Sequence, residues 1–262
     1  MKKIFIILIV CSSLLLISCD KKKTIINNVI NQKIEIEDVI TIKNLEDVIC
    51  NTVENVENTV IGIKCLNTNT LLKSESFGSG VVIKNINNKY YIVTNRHVIM
   101  KQGKVYDDIK IYVGSIDLYV DAVVIDYDEY IDLALLEVET DVLLKVCNLG
   151  SDLEIKKGKY CIAVGSPYDL ETYYNTVTIG NISNIKRVIN EDNYFHKNIS
   201  NEYLLSTATI NEGCSGGGLF NLQGELIGIN TWKLVDSSKN IDGMNFSISV
   251  DIIKDTFSSY LD

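Results

Sequence analysis

Leu45, Val48, Ile49, Val53 and Val56 recur at intervals of three and four residues along an otherwise polar stretch. That spacing predicts one apolar face on a short amphipathic helix. Beyond it the period changes. Leu118, Val120, Ala122 and Val124 alternate with other side chains, as on a half-buried strand. Runs rich in β-branched and aromatic residues predict further strands at 59–65, 80–86, 90–94, 109–113, 133–138, 160–165, 177–183, 218–220 and 226–230. About a dozen short strands broken by turns imply an all-β barrel or sandwich. The carboxyl end returns to helical spacing, with Val250, Ile253, Phe257 and Leu261 in one stripe and Ser249 as the expected N-cap.

The amino terminus reads as a targeting segment rather than fold. Lys2 and Lys3 precede an apolar run, Ile4 to Ile17, of 14 residues. A spanning helix needs about 20, whereas a signal-peptide core is shorter. Leu16-Ile17-Ser18-Cys19 follows and resembles the lipobox of bacterial lipoproteins. The resemblance implies a signal peptide over 1–19, lipidation of Cys19 and attachment to the extracytoplasmic face of the cell membrane. The alternative is a secreted protein whose signal has a weak cleavage site. Residues 20–44 mix lysine, asparagine and isoleucine and are read as a tether.

Composition narrows the function classes. The chain has 262 residues, 46% hydrophobic and 23% charged, which is ordinary globular usage. Asp and Glu total 34 against 25 Lys and Arg, a net charge of −9. Phosphate neutralisation needs clustered Lys and Arg, so no nucleic-acid partner is expected. Setting aside Cys11 and Cys19 leaves Cys50, Cys65, Cys147, Cys161 and Cys214. An odd number without a C-x-x-C pair suits neither a disulfide framework nor a zinc site, although a single disulfide stays open. No metal and no cofactor is expected.

Chemistry concentrates around Ser215, in Asn211-Glu212-Gly213-Cys214-Ser215-Gly216-Gly217-Gly218. A serine ringed by glycines suits a site where backbone must come close to a ligand or adopt positive φ. In acyl transfer the N–H groups of Gly213 and Ser215 would face the developing oxyanion. A serine hydroxyl needs a base, and the chain offers two histidines. His97 ends a β-branched strand, while His196 lies in a polar stretch read as a surface loop. Asp132 opens Asp132-Leu133-Ala134-Leu135, and an acid at the head of a buried strand needs a partner. Asp126, Asp128 and Glu129 lack that context and are read as solvated. Gly213-Cys214-Ser215-Gly216-Gly217 also fits the nucleophile elbow of α/β-hydrolases, but that order needs a histidine after the serine. None follows Ser215, and the order His, Asp, Ser is the one found in chymotrypsin.

With these residues in order, residues 45–255 resemble a trypsin-like serine protease, most closely the HtrA (Deg) branch. The matching blocks are Gly78-Ser79-Gly80-Val81-Val82, Thr94-Asn95-Arg96-His97-Val98, Asp132-Leu133-Ala134-Leu135, Gly165-Ser166-Pro167, Gly213-Cys214-Ser215-Gly216-Gly217, Gly224 to Thr231 and Asn245-Phe246-Ser247-Ile248. The resemblance implies a protease domain over 45–262, built from two six-stranded antiparallel β-barrels split near 140–155. It implies a His97–Asp132–Ser215 triad in the crevice between them and an oxyanion hole at Gly213 and Ser215. It also implies that Thr231 donates to Asp132, that Asn230, Thr231 and Trp232 form an edge for extended substrate, and that Thr209 and Ile210 line a pocket. No acid stands at the trypsin-like pocket floor, so small or medium apolar P1 residues are expected.

Two departures from the family pattern stand inside the loop. Cys214 replaces an asparagine, and Gly218 replaces a proline or alanine, which would loosen the loop. A chymotrypsin-fold cysteine protease would carry its cysteine at position 215, so Ser215 is read as the nucleophile. The family's PDZ domain is not expected here. The expected function is a serine endopeptidase acting on proteins or peptides in extracytoplasmic quality control or processing. The alternative is a catalytically weak or latent binding module on the same fold. Oligomeric state is not readable from the sequence.

Overall fold

Two antiparallel sheets carry most of the regular structure, as the many short β-branched segments predict. The computed structural model describes residues 43–68, 74–128, 130–193, 196–233 and 242–261. The signal peptide over 1–19, Cys19 and the tether up to residue 42 lie outside the described residues. Residues 51–262 form one compact unit by their internal contacts.

Helix α1 spans residues 43–56, beginning two residues before the expected start and so taking in the last two residues of the tether. The first sheet follows, built from β1 (Val60–Asn67), β2 (Ser74–Ile86) and β3 (Lys89–Thr94). One turn of helix, α2 (Arg96–Ile99), leads to a small hairpin of β4 (Met100–Lys101) and β5 (Lys104–Val105). The first sheet then resumes with β6 (Asp108–Val113), β7 (Leu118–Asp121), β8 (Val123–Tyr127) and β9 (Ala134–Glu139). Its order is β7-β6-β1-β2-β3-β9-β8. The two edge strands, β7 and β8, are separated in sequence by Ala122 alone, and the Ala122 N–H donates to Ile109 O at 2.9 Å. The sheet is therefore curled, with β7 and β8 acting as two halves of one bent strand. Ile61, Ile63, Val82, Ile92, Ile111 and Leu136 fill its interior. Each such fully buried side chain stabilises by roughly 1.5–3 kcal/mol.

The second sheet contains β10 (Asn148–Leu149), β11 (Tyr160–Gly165), β12 (Thr176–Asn193), β13 (His196–Ser206), β14 (Gly218–Phe220), β15 (Glu225–Lys233) and β16 (Asn245–Ser249). Six of them run β15-β14-β11-β12-β13-β16, and a further β15–β16 pairing closes them into a barrel. Strand β10 lies outside this ring, parallel to β15. Cys161, Ala163, Ile182, Leu204, Leu219 and Ile227 form its core.

Three local expectations change. His196 sits in strand β13, paired with Asn193 across the β12–β13 hairpin, rather than in a loop. Its polar neighbours carry no alternation to reveal a strand, because that stretch is held by its partner strand. The carboxyl-terminal stripe divides into α3 (Val250–Thr256) and α4 (Ser258–Leu261), with Phe257 between them outside helical geometry. Ser249 does occupy the N-cap position, but its hydroxyl donates to Asp152 Oδ2 at 2.8 Å instead of capping the helix. The described cysteines, Cys50, Cys65, Cys147, Cys161 and Cys214, are all free thiols.

Candidate active site

Strand β3 ends at Thr94, and α2 begins immediately after it, so His97 is carried on a single helical turn at the rim of the first sheet. Asp132 arrives on a turn before β9. The Asp128 Oδ1 accepts from the N–H groups of Tyr130 and Ile131, both at 2.7 Å, and shapes that turn. Asp128 is half-buried and structural, against its expected solvated role; Asp126 is half-buried too, its Oδ1 accepting from the Tyr127 N–H at 2.8 Å, and Glu129 lies outside the described residues. The Asn95 side chain then pins the Asp132 carbonyl at 2.8 Å.

The Asp132 carboxylate collects three donors. The His97 backbone N–H reaches Oδ1 at 2.9 Å, His97 Nδ1 meets Oδ2 at 2.6 Å, and Thr231 Oγ1 donates to Oδ2 at 2.9 Å. The last comes from β15, so one carboxylate joins both sheets. Desolvation alone would lift the Asp132 pKa, but the charge and hydrogen bonds of His97, with the Thr231 donor, hold it below the ordinary carboxylate value. Desolvation alone would likewise lower His97, and Arg96 pushes the same way; the Asp132 charge and hydrogen bond outweigh both and raise it. The imidazole side chain keeps 45% of its surface open to solvent.

Ser215 sits across from this pair in the loop between β13 and β14. Its hydroxyl donates to the Thr231 carbonyl at 2.9 Å, not to His97. Thr231 thereby touches Asp132 through its side chain and Ser215 through its backbone, which gathers the three sequence-predicted residues around one neighbour. The surrounding loop is fixed by its carbonyls. Glu212 O accepts from the Tyr168 N–H at 2.9 Å, Gly213 O from Ser79 Oγ at 2.8 Å, Cys214 O from the Gly217 N–H at 3.0 Å, and Ser215 O from the Ser79 N–H at 2.8 Å. The N–H groups of Cys214, Gly216 and Gly217 are also engaged, by Asn211, Asn230 and Cys214 respectively. Among the described residues, those of Gly213 and Ser215 have no acceptor. In a planar trans peptide the N–H points opposite the preceding carbonyl. Anchoring Glu212 O and Cys214 O therefore turns these two N–H groups away from their anchors.

Glycine is required at two of these positions. Gly213 has φ +93 and Gly216 has φ +83, and a Cβ on Gly216 would stand 2.0 Å from Ser79 O. Gly218, expected to loosen the loop, instead makes room for a neighbour: a Cβ there would meet the Phe220 ring at 2.4 Å. Cys214 points into the second sheet's core beside Ile210, Leu219 and Ile227, and burial pushes its thiol pKa up. It is a buried thiol, and Ser215 carries the only hydroxyl at the loop's centre.

The expected substrate-facing residues fall in different surroundings. Trp232 is half-buried, stacked on Phe246 at 4.0 Å with Tyr203 edge-on. Asn230 is buried, its amide nitrogen donating to Gly218 O and its oxygen accepting from Ser247 Oγ. Its backbone holds Gly216 and Gly217 from beneath. Thr209 is exposed, whereas Ile210 is buried and packs in the barrel core. Ser79, Asn95 and Tyr168 were not singled out as site residues by sequence reasoning. Ser79 and Asn95 lie inside quoted family blocks, and Tyr168 directly follows one.

The trypsin-like peptidase domain family matches residues 78–229. The chain is 35% identical over 211 residues to serine protease HTRA4 of Mus musculus, covering 79% of this chain and 40% of that protein. It is 35% identical over 191 residues to a probable periplasmic serine endoprotease, DegP-like, of Hahella chejuensis (strain KCTC 2396), covering 72% of this chain and 36% of that one. The solved structure of the HtrA-type protease AlgW with tripeptide aligns with a TM-score of 0.65 at 28% identity, over 81% of this chain and 63% of that chain. The chain thus spans about 40% of the length of these curated relatives.

The site makes two predictions about stability. The Asp132 contribution is present above the ordinary value of 3.8 and is lost as pH falls through its lowered folded pKa; the His97 contribution is present below 6.5 and is lost as pH rises through its raised folded pKa. The stability difference between wild type and Asp132→Asn, read by urea unfolding, is therefore expected to peak between these values and shrink on either side. Thr231→Val removes one donor to a carboxylate and is expected to cost about 1.5–3 kcal/mol at neutral pH in the same assay.

Proposed function

This chain belongs to the trypsin-like peptidase family, on the side of the HtrA serine proteases, and from that premise we propose that it is a serine endopeptidase with His97, Asp132 and Ser215 as its triad. The observation that carries the reading is the loop's hydrogen-bond pattern, which engages the carbonyls of Glu212 to Ser215 and leaves the N–H groups of Gly213 and Ser215 as donors. At rest the Ser215 hydroxyl lies on Thr231 O. Rotation about its χ1 turns it to His97 Nε2, which takes the proton as Oγ attacks a peptide carbonyl. Asp132 holds the Nδ1–H tautomer and stabilises the imidazolium. The two N–H groups bind the tetrahedral oxyanion, where loss of one donor costs about 3–4 kcal/mol in such sites. His97 then gives its proton to the leaving amine, and water repeats the sequence on the acyl-enzyme.

Substrate lies as an extended strand along Thr231 and Trp232, with Thr209 and Ile210 near the P1 side chain and a preference for small or medium apolar P1 residues. The work of the enzyme is extracytoplasmic protein quality control or processing, with Cys19 as the lipid anchor. A lipobox-like quartet at residues 16–19 and the periplasmic description of one relative support that location. A second reading, a weak or latent protease-fold binder, draws on the Ser215 hydroxyl resting away from His97. Turnover of casein separates the two, because a binder leaves it intact.

Ser215→Ala is expected to abolish labelling by an organophosphonate probe and casein hydrolysis together; labelling that survives overturns the assignment. In wild type, kcat/KM should rise with pH through a pKa above 6.5, since His97 must be neutral to act. Asp132→Asn should lower kcat by about 10⁴. Incorporation of a labelled fatty acid into the full chain is expected in wild type and absent in Cys19→Ala.

A further inference from the structure

Ser79, in the middle of β2, is fully buried at 0% exposure, and every polar group it owns is engaged. Its N–H donates to Ser215 O at 2.8 Å, and its carbonyl accepts from Thr94 Oγ1 at 2.7 Å. Its hydroxyl accepts from the Ser166 N–H at 2.9 Å and donates to Gly213 O at 2.8 Å. One residue of the first sheet thus grips two of the four carbonyls in the 212–215 loop and also the segment before Pro167. That segment continues into Tyr168, whose N–H holds a third carbonyl, Glu212 O.

The flanking glycines make this reach geometrically available. A Cβ on Gly78 would stand 2.6 Å from Val98, and one on Gly80 would stand 2.7 Å from Ile92. Only a strand stripped of those side chains lies close enough for a hydroxyl as short as serine's to bridge to the loop. The loop is equally stripped on its side, since a Cβ on Gly216 would collide with Ser79 O.

We propose that the Ser79 hydroxyl is a positioning residue for the oxyanion site. Its bond to Gly213 O sets the rotation of the peptide after Gly213, and its bond to the Ser166 N–H ties down the segment whose Tyr168 N–H anchors Glu212 O and so sets the rotation of the peptide before it. That rotation decides whether the Gly213 N–H faces the substrate carbonyl. Gly213, at positive φ and without a side chain, is held through its peptides alone, and the Ser79 hydroxyl is the side chain that grips its carbonyl. The inference rests on the reading of Ser215 as the nucleophile given above.

A peptidyl trifluoromethyl ketone with a ¹³C-labelled carbonyl tests it. Addition of Ser215 Oγ to that carbonyl forms a hemiketal, and the carbon shift against pH reports ionisation of its hydroxyl to the oxyanion. Ser79→Ala is expected to raise the hemiketal pKa by about one unit or more and to lower kcat roughly 10- to 100-fold, part of the effect of deleting a donor outright, with KM changed less than about threefold. Ser79→Cys, which keeps the shape and weakens the donor, should fall between serine and alanine in both readings. If Ser79→Ala fails to unfold cooperatively, the cysteine variant carries the same comparison. A hemiketal pKa and kcat equal to wild type in the folded variant overturn the proposal while leaving the triad intact. Wild type that neither reacts with organophosphonate nor forms the hemiketal sinks the triad reading and this one with it.

Discussion

A carboxylate held between two sheets survives as an anion only if donors meet it from both sides, and Asp132 is met in this way. Two of its donors belong to His97 on the first sheet and the third is Thr231 on the second. Removing water from a charge is costly, and an ionised acid without these partners would take up a proton instead. The same contacts that keep Asp132 charged also fix the ring orientation of His97 and place Thr231 O under the Ser215 hydroxyl. The contacts that keep Asp132 charged and those that align His97 and Ser215 are therefore one arrangement rather than two.

The loop around Ser215 obeys a second constraint, which concerns backbone alone. With glycine at 213, 216, 217 and 218, it has little side-chain volume to define its path. Hydrogen bonds to its carbonyls take that role, and they come from three places: the loop itself, β2 and the segment around Tyr168. Because each carbonyl is engaged outward, the unused donors face the other way. The chemistry of the loop follows from which groups are consumed, and conformational freedom at the glycines is what lets every carbonyl find a donor.

The β-rich architecture was legible because most of its strands are β-branched and bounded by turn residues, as at Ile109 to Val113 and Leu133 to Val138. His97, Asp132 and Ser215 were legible as residue types in an order that excludes rival folds, and the structure brings them around Thr231. What escaped was whatever depends on a distant partner. The β12–β13 hairpin is polar along its outer half and is held by pairing, so no alternation marks it. Asp128 looks like any surface acid until the N–H groups of Tyr130 and Ile131 are seen on it. Asn230 stood in the sequence only as a position on a substrate edge and Ile210 as one on a pocket wall; that the Asn230 amide holds Gly218 O and that Ile210 packs in the core depends on partners far along the chain. A strand's sidedness near a bulge, such as that between Asn230 and Trp232, cannot be counted from sequence alone.

The distribution of thiols has a practical corollary. Cys65, Cys147, Cys161 and Cys214 are buried, and desolvation lifts the first three to a pKa of about 12. A thiolate is the reactive form, so these sulfurs stay silent toward alkylating reagents while both sheets stay packed. Cys50 alone among the described cysteines is exposed. Alkylation kinetics at the other four thus act as a built-in clock for opening of each sheet, with Cys214 timing the very loop that carries Ser215.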